Sequence, residues 1–174
     1  MKTFSQNVFN SILQQVDMKP RLKKELKFVA SASRLLDDWS SYELVSIADR
    51  TGDKGVLLLR PEDALYVTPY ELSRRIVDSS TGRDRAVICD FCYTWQPGSN
   101  AASITFPHAD TKHSIRLLCC ADLDCSQHVR TATQASVVSR ARLREDLTNE
   151  DRVERLKQRL VKNIEQLGLK PVVE

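Results

Sequence analysis

The stretches ICDFC (residues 88–92) and CCADLDC (residues 119–125) contain all five cysteines of this sequence. The first stretch holds a C-x2-C pair, and the second holds a C-x4-C pair about 28 residues further on. Two cysteines on a tight turn can direct both sulfurs at one ion, and four thiolates in a tetrahedron select Zn²⁺ over harder cations. The sequence therefore predicts one zinc ion, with the ligands Cys89, Cys92, Cys120 and Cys125.

Cys119 and Cys120 are adjacent, so in an extended strand their side chains point to opposite faces and only one can bind the metal comfortably. We expect Cys120 to be the ligand, because the strand should end there and turn into a helix. Cys119 would then pack in the core as a small apolar side chain. His128 follows Cys125 by three residues, so a Cys3His site stays open as an alternative.

A closed set of four protein ligands leaves no coordination position for water, so the predicted zinc is structural. No arrangement of serine, histidine and acidic residues suggests catalysis, and His108 and His113 are expected in a loop and on a strand surface. A redox C-x-x-C stays possible, but the βαβ surroundings of a thioredoxin-like motif are missing. We therefore expect a protein that is not an enzyme.

Composition supports one soluble domain, or one domain with a helical appendage. The chain has 174 residues, is 41% hydrophobic and 28% charged, and has a net charge of +3. No apolar run approaches the roughly 20 residues that cross a bilayer, and the first residues do not resemble a signal peptide. Clustered cysteines in such a chain argue against disulfides. We expect a monomer in the cytoplasm, without membrane contact.

The N-terminal part is expected to be helical. Apolar residues recur at helical spacing over residues 4–16, and Pro20 suits the first turn of a second helix that is basic in its first half. We treat residues 1–40 as an N-terminal helical segment. From about residue 43 the sequence predicts a β-hairpin, another strand at Leu65–Val67, and a helix over 69–78 that begins at the capping-box pattern TPYE.

The rest of the chain predicts a small sheet and a zinc finger. Residues 85–119 alternate between strands and turns, one helix is expected from Leu123 to about Arg142, and an amphipathic helix follows from about Thr148 to Gly168. A ligand pair on a knuckle, a hairpin, and a second pair at a helix start form the layout of a treble-clef finger. We therefore predict an α+β domain over residues 41–174, with the finger core at about 85–142.

The segment from Cys120 to Arg130 follows the pattern C-x-D-L-x-C-S-x-x-V-R. Together with the earlier C-x2-C pair, it resembles the C-terminal treble-clef zinc finger of the FusB-type, or FBP-type, elongation-factor-G-binding proteins. The order of helices and strands along residues 43–170 is also similar. The resemblance implies a zinc protein that binds translation elongation factor G and helps to release it from the ribosome, including when fusidic acid traps it there.

A basic face after the finger is a candidate partner surface. Residues 126–144 contain no acidic residue, and their arginines are Arg130, Arg140, Arg142 and Arg144. Such a face can meet an acidic protein surface, or the phosphates of rRNA or tRNA. Direct RNA or ribosome binding is therefore the alternative function. Arg130 can instead offset the negative charge of the zinc centre, and the aromatic residues near the finger can either stack on bases or cover its core.

Overall fold

A computed structural model describes residues 5–16, 18, 20–26, 41–107 and 114–173. In chain order, the elements are α1 (Gln6–Gln15), α2 (Pro20–Glu25), β1 (Leu44–Ala48), β2 (Lys54–Leu59), β3 (Leu65–Ser73), β4 (Val87–Ile88), β5 (Trp95–Gln96), β6 (Ala101–Pro107), β7 (Ser114–Cys120), α3 (Cys125–Val129), α4 (Gln134–Leu143), α5 (Asn149–Leu167) and β8 (Pro171–Val172). The predicted α+β class is confirmed.

One antiparallel sheet organises the described residues. Its strand order is β1-β2-β3-β6-β7, and the short β8 adds to the start of β3. The predicted hairpin is present as β1 and β2, joined by a turn in which Gly52 has φ +77°. The carboxylate of Asp49 accepts hydrogen bonds from the hydroxyl of Thr51 and the amide of Gly52, both at 2.9 Å. These contacts fix the turn, and with it the register of the hairpin.

The two faces of the sheet have different covers, because successive side chains of a strand point to opposite faces. On one face, Val45, Ile47 and Val56 share a buried cluster with Phe9 and Ile12 of α1. The opposite face forms the larger cluster with the finger and α5; its sheet members are Leu44, Leu57, Leu59, Tyr70, Leu72, Ala102, Ile104, Phe106, Cys119 and Cys120. The sheet is thus the middle layer between α1 and the finger with α5.

The two predicted N-terminal helices are present. The Ser5 side chain accepts a hydrogen bond from the Val8 amide at the start of α1, and Pro20 is the first residue of α2. The boundary near residue 40 stays a prediction, because residues 27–40 lie outside the described residues. Within them, α1 buries its apolar side against the sheet.

The helix predicted over residues 69–78 is wrong. The chain continues there as β3 to Ser73, and Tyr70 and Leu72 are buried in the sheet. The TPYE pattern is a correct local signal for a helix start. Pairing of β3 with β2 and with β6 outweighs it, because tertiary burial is worth more than one cap.

A proline inside this paired strand costs no ladder hydrogen bond. The Leu72 amide donates to the carbonyl of Asp53, and paired positions alternate between bonded and non-bonded along an antiparallel ladder. Pro69, opposite Val56, therefore falls at a non-bonded position. Its nitrogen points away from β2, toward the opposite side of β3. On that side β3 pairs with β8 before Pro69 and with β6 after it, so no strand is bonded at Pro69 itself.

The single helix predicted from Leu123 to Arg142 is also wrong, since α3 and α4 are separate. Thr131 between them has φ +59°, in the left-handed region that ends a helix. The side chain of Thr133 then accepts a hydrogen bond from the amide of Ser136, and the Ser136 hydroxyl interacts with the Thr133 amide. This capping box starts α4 in a new direction.

The C-terminal helix is confirmed as α5. Thr148 and Asp151 form its capping box, and Gly168 ends it with φ +61°. Leu156, Leu160 and other apolar residues of one face are buried against the larger cluster. None of the helices in the described part of the chain is long and apolar enough to cross a membrane.

Replacing Phe9 by alanine tests the packing of α1 on the sheet. Phe9 is fully buried, so Phe9→Ala should lower the free energy of unfolding by about 3–5 kcal/mol in urea. The control is Asn10→Ala, because Asn10 is exposed on the same helix. An unchanged urea midpoint in Phe9→Ala would show that α1 does not contribute to the folded core.

Candidate metal centre

Four cysteine thiols meet at one buried point. Cys89, Cys92, Cys120 and Cys125 are fully buried, and their sulfur atoms all lie within 4.8 Å of one another. The Sγ–Sγ distances are 3.8 Å for Cys89–Cys125, 3.6 Å for Cys92–Cys120 and 3.9 Å for Cys120–Cys125. A tetrahedral zinc with bonds of about 2.3 Å separates its sulfurs by about 3.8 Å. The four thiols therefore fit one structural zinc ion.

Two left-handed turns bring the cysteine pairs together. Tyr93 follows the first pair with φ 57°, and its amide donates to the carbonyl of Cys89 at 2.9 Å. Leu123 lies inside the second pair with φ 56°, and its amide donates to the carbonyl of Cys120 at 3.1 Å. Cys125 is the first residue of α3, where the helix dipole favours a thiolate.

The structure separates the two adjacent cysteines as the sequence suggests. Cys120 faces the other three thiols, whereas Cys119 pairs with Ala102 on β6 and packs in the larger apolar cluster. Burial raises the pKa of the Cys119 thiol far above its ordinary value. Cys119 thus stays a neutral core side chain.

His128 braces the loop of the second pair instead of completing the set of thiols. It is buried, its Nδ1 lies 2.6 Å from the Thr133 hydroxyl, and its Nε2 lies 3.1 Å from a carboxylate oxygen of Asp122. Burial acts to raise the pKa of Asp122, but hydrogen bonds from His128 and other donors hold it below its ordinary value. Cys120, Asp122 and His128 also lie close enough to share an ion, but Cys120 already belongs to the four thiols. His108 and His113 lie outside the described residues.

Arg152 is the charged residue that sequence reasoning missed. Its side chain is fully buried, with Nε 3.3 Å from a carboxylate oxygen of Glu145 and Nη1 donating to the Thr131 hydroxyl at 3.1 Å. Burial lowers the pKa of the Arg152 guanidinium, while the charges of Glu145 and of Cys92 act in the opposite direction. A zinc ion with four thiolates has a net charge of −2, so a buried cation on the helix that packs against the finger stabilises it.

A sequence signal for Arg152 was available. Arg152 precedes Leu156 by four residues, and Leu160 follows Leu156 by four, so all three lie on one face of α5. This position predicts that the Arg152 side chain is buried together with an acidic or polar partner, because a buried charge without a partner is costly.

Two further arginines of α5 contact the knuckle, which is the turn of residues 89–93 that contains the first cysteine pair. The guanidinium groups of Arg155 and Arg159 each lie 4.8 Å from the centre of the Tyr93 ring. Arg159 also donates to the carbonyl of Asp90 at 2.9 Å, and Arg155 pairs with Glu145. These cation–π contacts and hydrogen bonds place α5 directly against the first cysteine pair.

The aromatic residues near the finger contact other parts of the protein, although Tyr93 keeps 38% of its surface exposed. Phe91 is buried and meets Phe106 edge to face, with ring centroids 6.4 Å apart. The guanidinium of Arg142 lies 4.2 Å from the centre of the Trp95 ring. Together with the arginines on Tyr93, these contacts favour the core-covering interpretation over exposed base-stacking platforms.

The predicted partner-binding arginines occupy different environments. Arg130 donates to both carboxylate oxygens of Glu43, at 2.6 and 2.9 Å, and so ties α3 to the sheet rather than facing the zinc. Burial of Glu43 opposes its ionisation, yet these bonds hold its pKa below the ordinary value. Arg140 donates to the carbonyl of Leu147 at 2.9 Å. The remaining two, Arg142 and Arg144, are exposed at the end of α4.

Exchange of single cysteines tests the ligand set. Cys120→Ser should lose the zinc, whereas Cys119→Ser should keep about one equivalent, because only the first sulfur faces the other three. Elemental analysis of protein purified without added metal measures both. Retention in Cys120→Ser together with loss in Cys119→Ser would show that the neighbouring thiol is the ligand.

Removal of the buried cation tests charge balance at the centre. Arg152→Gln removes one of the two arginines that pair with Glu145 and should lower the free energy of unfolding by roughly 1–3 kcal/mol, because Arg155 still compensates the carboxylate. It should also speed the transfer of zinc to a chelator. Lys162→Gln is the control, since Lys162 is exposed on the same helix. Equal unfolding midpoints and equal zinc release in the two variants would contradict this role.

Comparison with known proteins agrees with the geometry. The family model described as the FBP C-terminal treble-clef zinc finger matches residues 21–167. No curated protein and no solved structure matches the chain. The match includes both cysteine pairs, every strand of the sheet except β8, and all of α3, α4 and α5. The chain therefore belongs to the FBP C-terminal treble-clef zinc-finger family.

Proposed function

We propose that this protein binds translation elongation factor G and promotes its release from the ribosome, including when fusidic acid holds the factor there. The observation that supports this most is membership of the FBP C-terminal treble-clef family over residues 21–167. The resemblance of the finger to elongation-factor-G-binding proteins extends to the second cysteine motif, whose fixed positions all match.

The site supports binding rather than catalysis. Four buried thiols form a closed set for zinc, which leaves no position at the metal for a substrate or a water molecule. The metal instead positions α3, since Cys125 is its first residue. Contacts of α3 with α5, and of Arg130 at its end with Glu43, then fix the position of α3 relative to α5 and the sheet.

The end of α4 is the surface that we assign to the factor. Arg142 and Arg144 are exposed there, and residues 126–144 contain no acidic side chain. The exposed cations at this helix end, Arg144 and the Arg142 that stacks on Trp95, favour a partner with a negative surface and increase the rate of association. Arg130 and Arg140 contribute less directly, because internal acceptors hold their guanidinium groups.

Direct binding to ribosomal RNA is the second candidate, and the same exposed arginines favour it. The two functions differ in their response to salt. Phosphate binding releases counterions and weakens linearly on a log–log plot of affinity against salt concentration. A protein interface with an apolar centre should weaken less.

The test is capture of purified elongation factor G by the zinc-loaded protein, with ribosome pelleting in the presence of fusidic acid. Wild-type protein should retain the factor and reduce the amount that pellets with ribosomes. Arg142→Glu combined with Arg144→Glu should weaken both effects at least roughly tenfold, since charge reversal replaces attraction by repulsion. Its zinc content should stay normal.

The matched control is Arg83→Glu combined with Arg85→Glu, which makes the same change of charge at exposed positions of the connector before β4. This control should bind the factor as wild type does. Failure of the wild-type protein to retain elongation factor G would contradict the proposal. Retention of ribosomes alone, with a steep salt dependence, would favour the RNA alternative.

A further inference from the structure

One edge of the sheet has backbone groups that the described residues leave unpaired. The amide of Arg60 donates to the carbonyl of Glu43, and the amide of Asp49 donates to that of Lys54, both at 2.8 Å. Bonded and non-bonded positions alternate along such a ladder. The backbone N–H and C=O groups of the even-numbered residues of β1 therefore point away from β2.

At the first of these positions, Leu44, the backbone groups already have a hydrogen-bond partner in the finger. The Leu44 amide donates to the Ser126 hydroxyl at 3.1 Å, and the same hydroxyl lies 3.4 Å from the Leu44 carbonyl. Ser126 of α3 thus takes the place of a neighbouring strand at Leu44. No described residue does the same at Ser46 or Ala48, which are the next two outward positions.

A cavity of about 740 Å³ opens along this edge. Its walls are β1 with the turn after it on one side, and the loop Ala121–Asp124 with the start of α3 on the other. Tyr70 lies in the lining, with its hydroxyl 2.7 Å from that of Ser46. The unpaired backbone groups therefore border a groove large enough for a peptide segment.

The charges of the lining favour a basic occupant. Four acids line the groove, namely Glu25, Asp49, Asp122 and Asp124, against two arginines, Arg50 and Arg74. Glu25 pairs with Arg21 at 2.8 Å and Arg74 lies 3.4 Å from Asp53, both partners outside the lining, so Asp49, Asp122 and Asp124 remain against Arg50. Among the described residues, none donates a hydrogen bond to the carboxylate of Asp124. The groove thus keeps an excess of negative charge.

We propose that this groove binds an extended, basic peptide segment of a partner protein, which adds to β1 as an antiparallel or parallel strand. Two outward positions, Ser46 and Ala48, offer two donors and two acceptors at the spacing of an extended chain. A lysine or arginine of the segment then lies near the acidic wall. This proposal goes beyond the release of elongation factor G, because it holds whichever protein supplies the segment.

The probe is the synthetic peptide acetyl-Thr-Lys-Val-Lys-Val-Thr-amide, titrated into the ¹⁵N-labelled, zinc-loaded full chain. The amide signals of Ser46 and Ala48 should shift in a saturable way. The same peptide with glutamate in place of lysine should bind at least roughly tenfold more weakly, because the groove is acidic. Binding of both peptides with equal affinity would overturn the charge argument.

Ala48→Pro is the variant that isolates the backbone contact. Proline removes the outward N–H group at this position without removing a hydrogen bond to β2, so the variant should keep its zinc and its fold. It should bind the lysine peptide roughly tenfold more weakly. Ser114→Pro is the matched control, at an outward position of the opposite edge strand β7. Equal binding by Ala48→Pro and wild type would overturn the proposal.

Measurements on the wild-type protein alone also test the proposed peptide binding. Absence of saturable shifts at peptide concentrations on the order of millimolar, or shifts confined to β7, would overturn the proposal. Slow hydrogen exchange of the Ser46 and Ala48 amides in the free protein would also overturn it, because the edge would then be occupied already. Shifts of the same amides with protein concentration alone would assign the edge to a second copy of the chain instead.

Discussion

Four thiolates held within 4.8 Å of one another repel strongly unless a cation lies between them, and this constraint organises the finger half of the molecule. Two thiols come from a knuckle, one from the end of β7 and one from the start of α3. A structural zinc in such a set contributes on the order of 10–16 kcal/mol of apparent binding energy, which is then available for folding. The metal therefore ties α3 to the first cysteine turn and to the end of β7, which are also joined to each other by hydrogen bonds between Asp90 and Leu118.

The charge of the centre explains why arginines of α5 are buried or stacked at the finger. Arg152 lies inside the protein beside Glu145, and the guanidinium groups of Arg155 and Arg159 lie against the ring of Tyr93, next to the first cysteine pair. These contacts align α5 so that its leucines reach the sheet. The opposite face of the sheet is closed by α1 through a separate cluster whose described members include no residue of the finger. The packing of α5 on the sheet is thus linked to the metal centre, whereas the packing of α1 on the sheet is separate from it.

Sequence reasoning was sufficient where one local signal and the tertiary structure agree. The two cysteine pairs, the β1–β2 hairpin and the capping box at Thr148 are such cases. It failed where a local signal met a stronger distant one. The TPYE pattern favours a helix start, but pairing with β2 and β6 makes it a strand, and Pro69 is tolerated at a non-bonded position. The separate start of α4 has a local signal, the capping box of Thr133 and Ser136, which the prediction of a single helix did not use. The burial of Arg152 depends on its contacts with Glu145 and with Thr131, which is 21 residues away in sequence.

Hydrogen exchange measured by mass spectrometry, with and without zinc, tests the dependence of the finger layer on the metal most directly. Zinc removal should increase exchange in α3, α4 and the first half of α5, and in the ends of β6 and β7 beside the cysteines. Exchange in α1 and in the β1–β2 hairpin should change much less, because the cluster of α1 contains no zinc ligand. Unchanged protection of α3 and α5 in zinc-free protein would contradict the account.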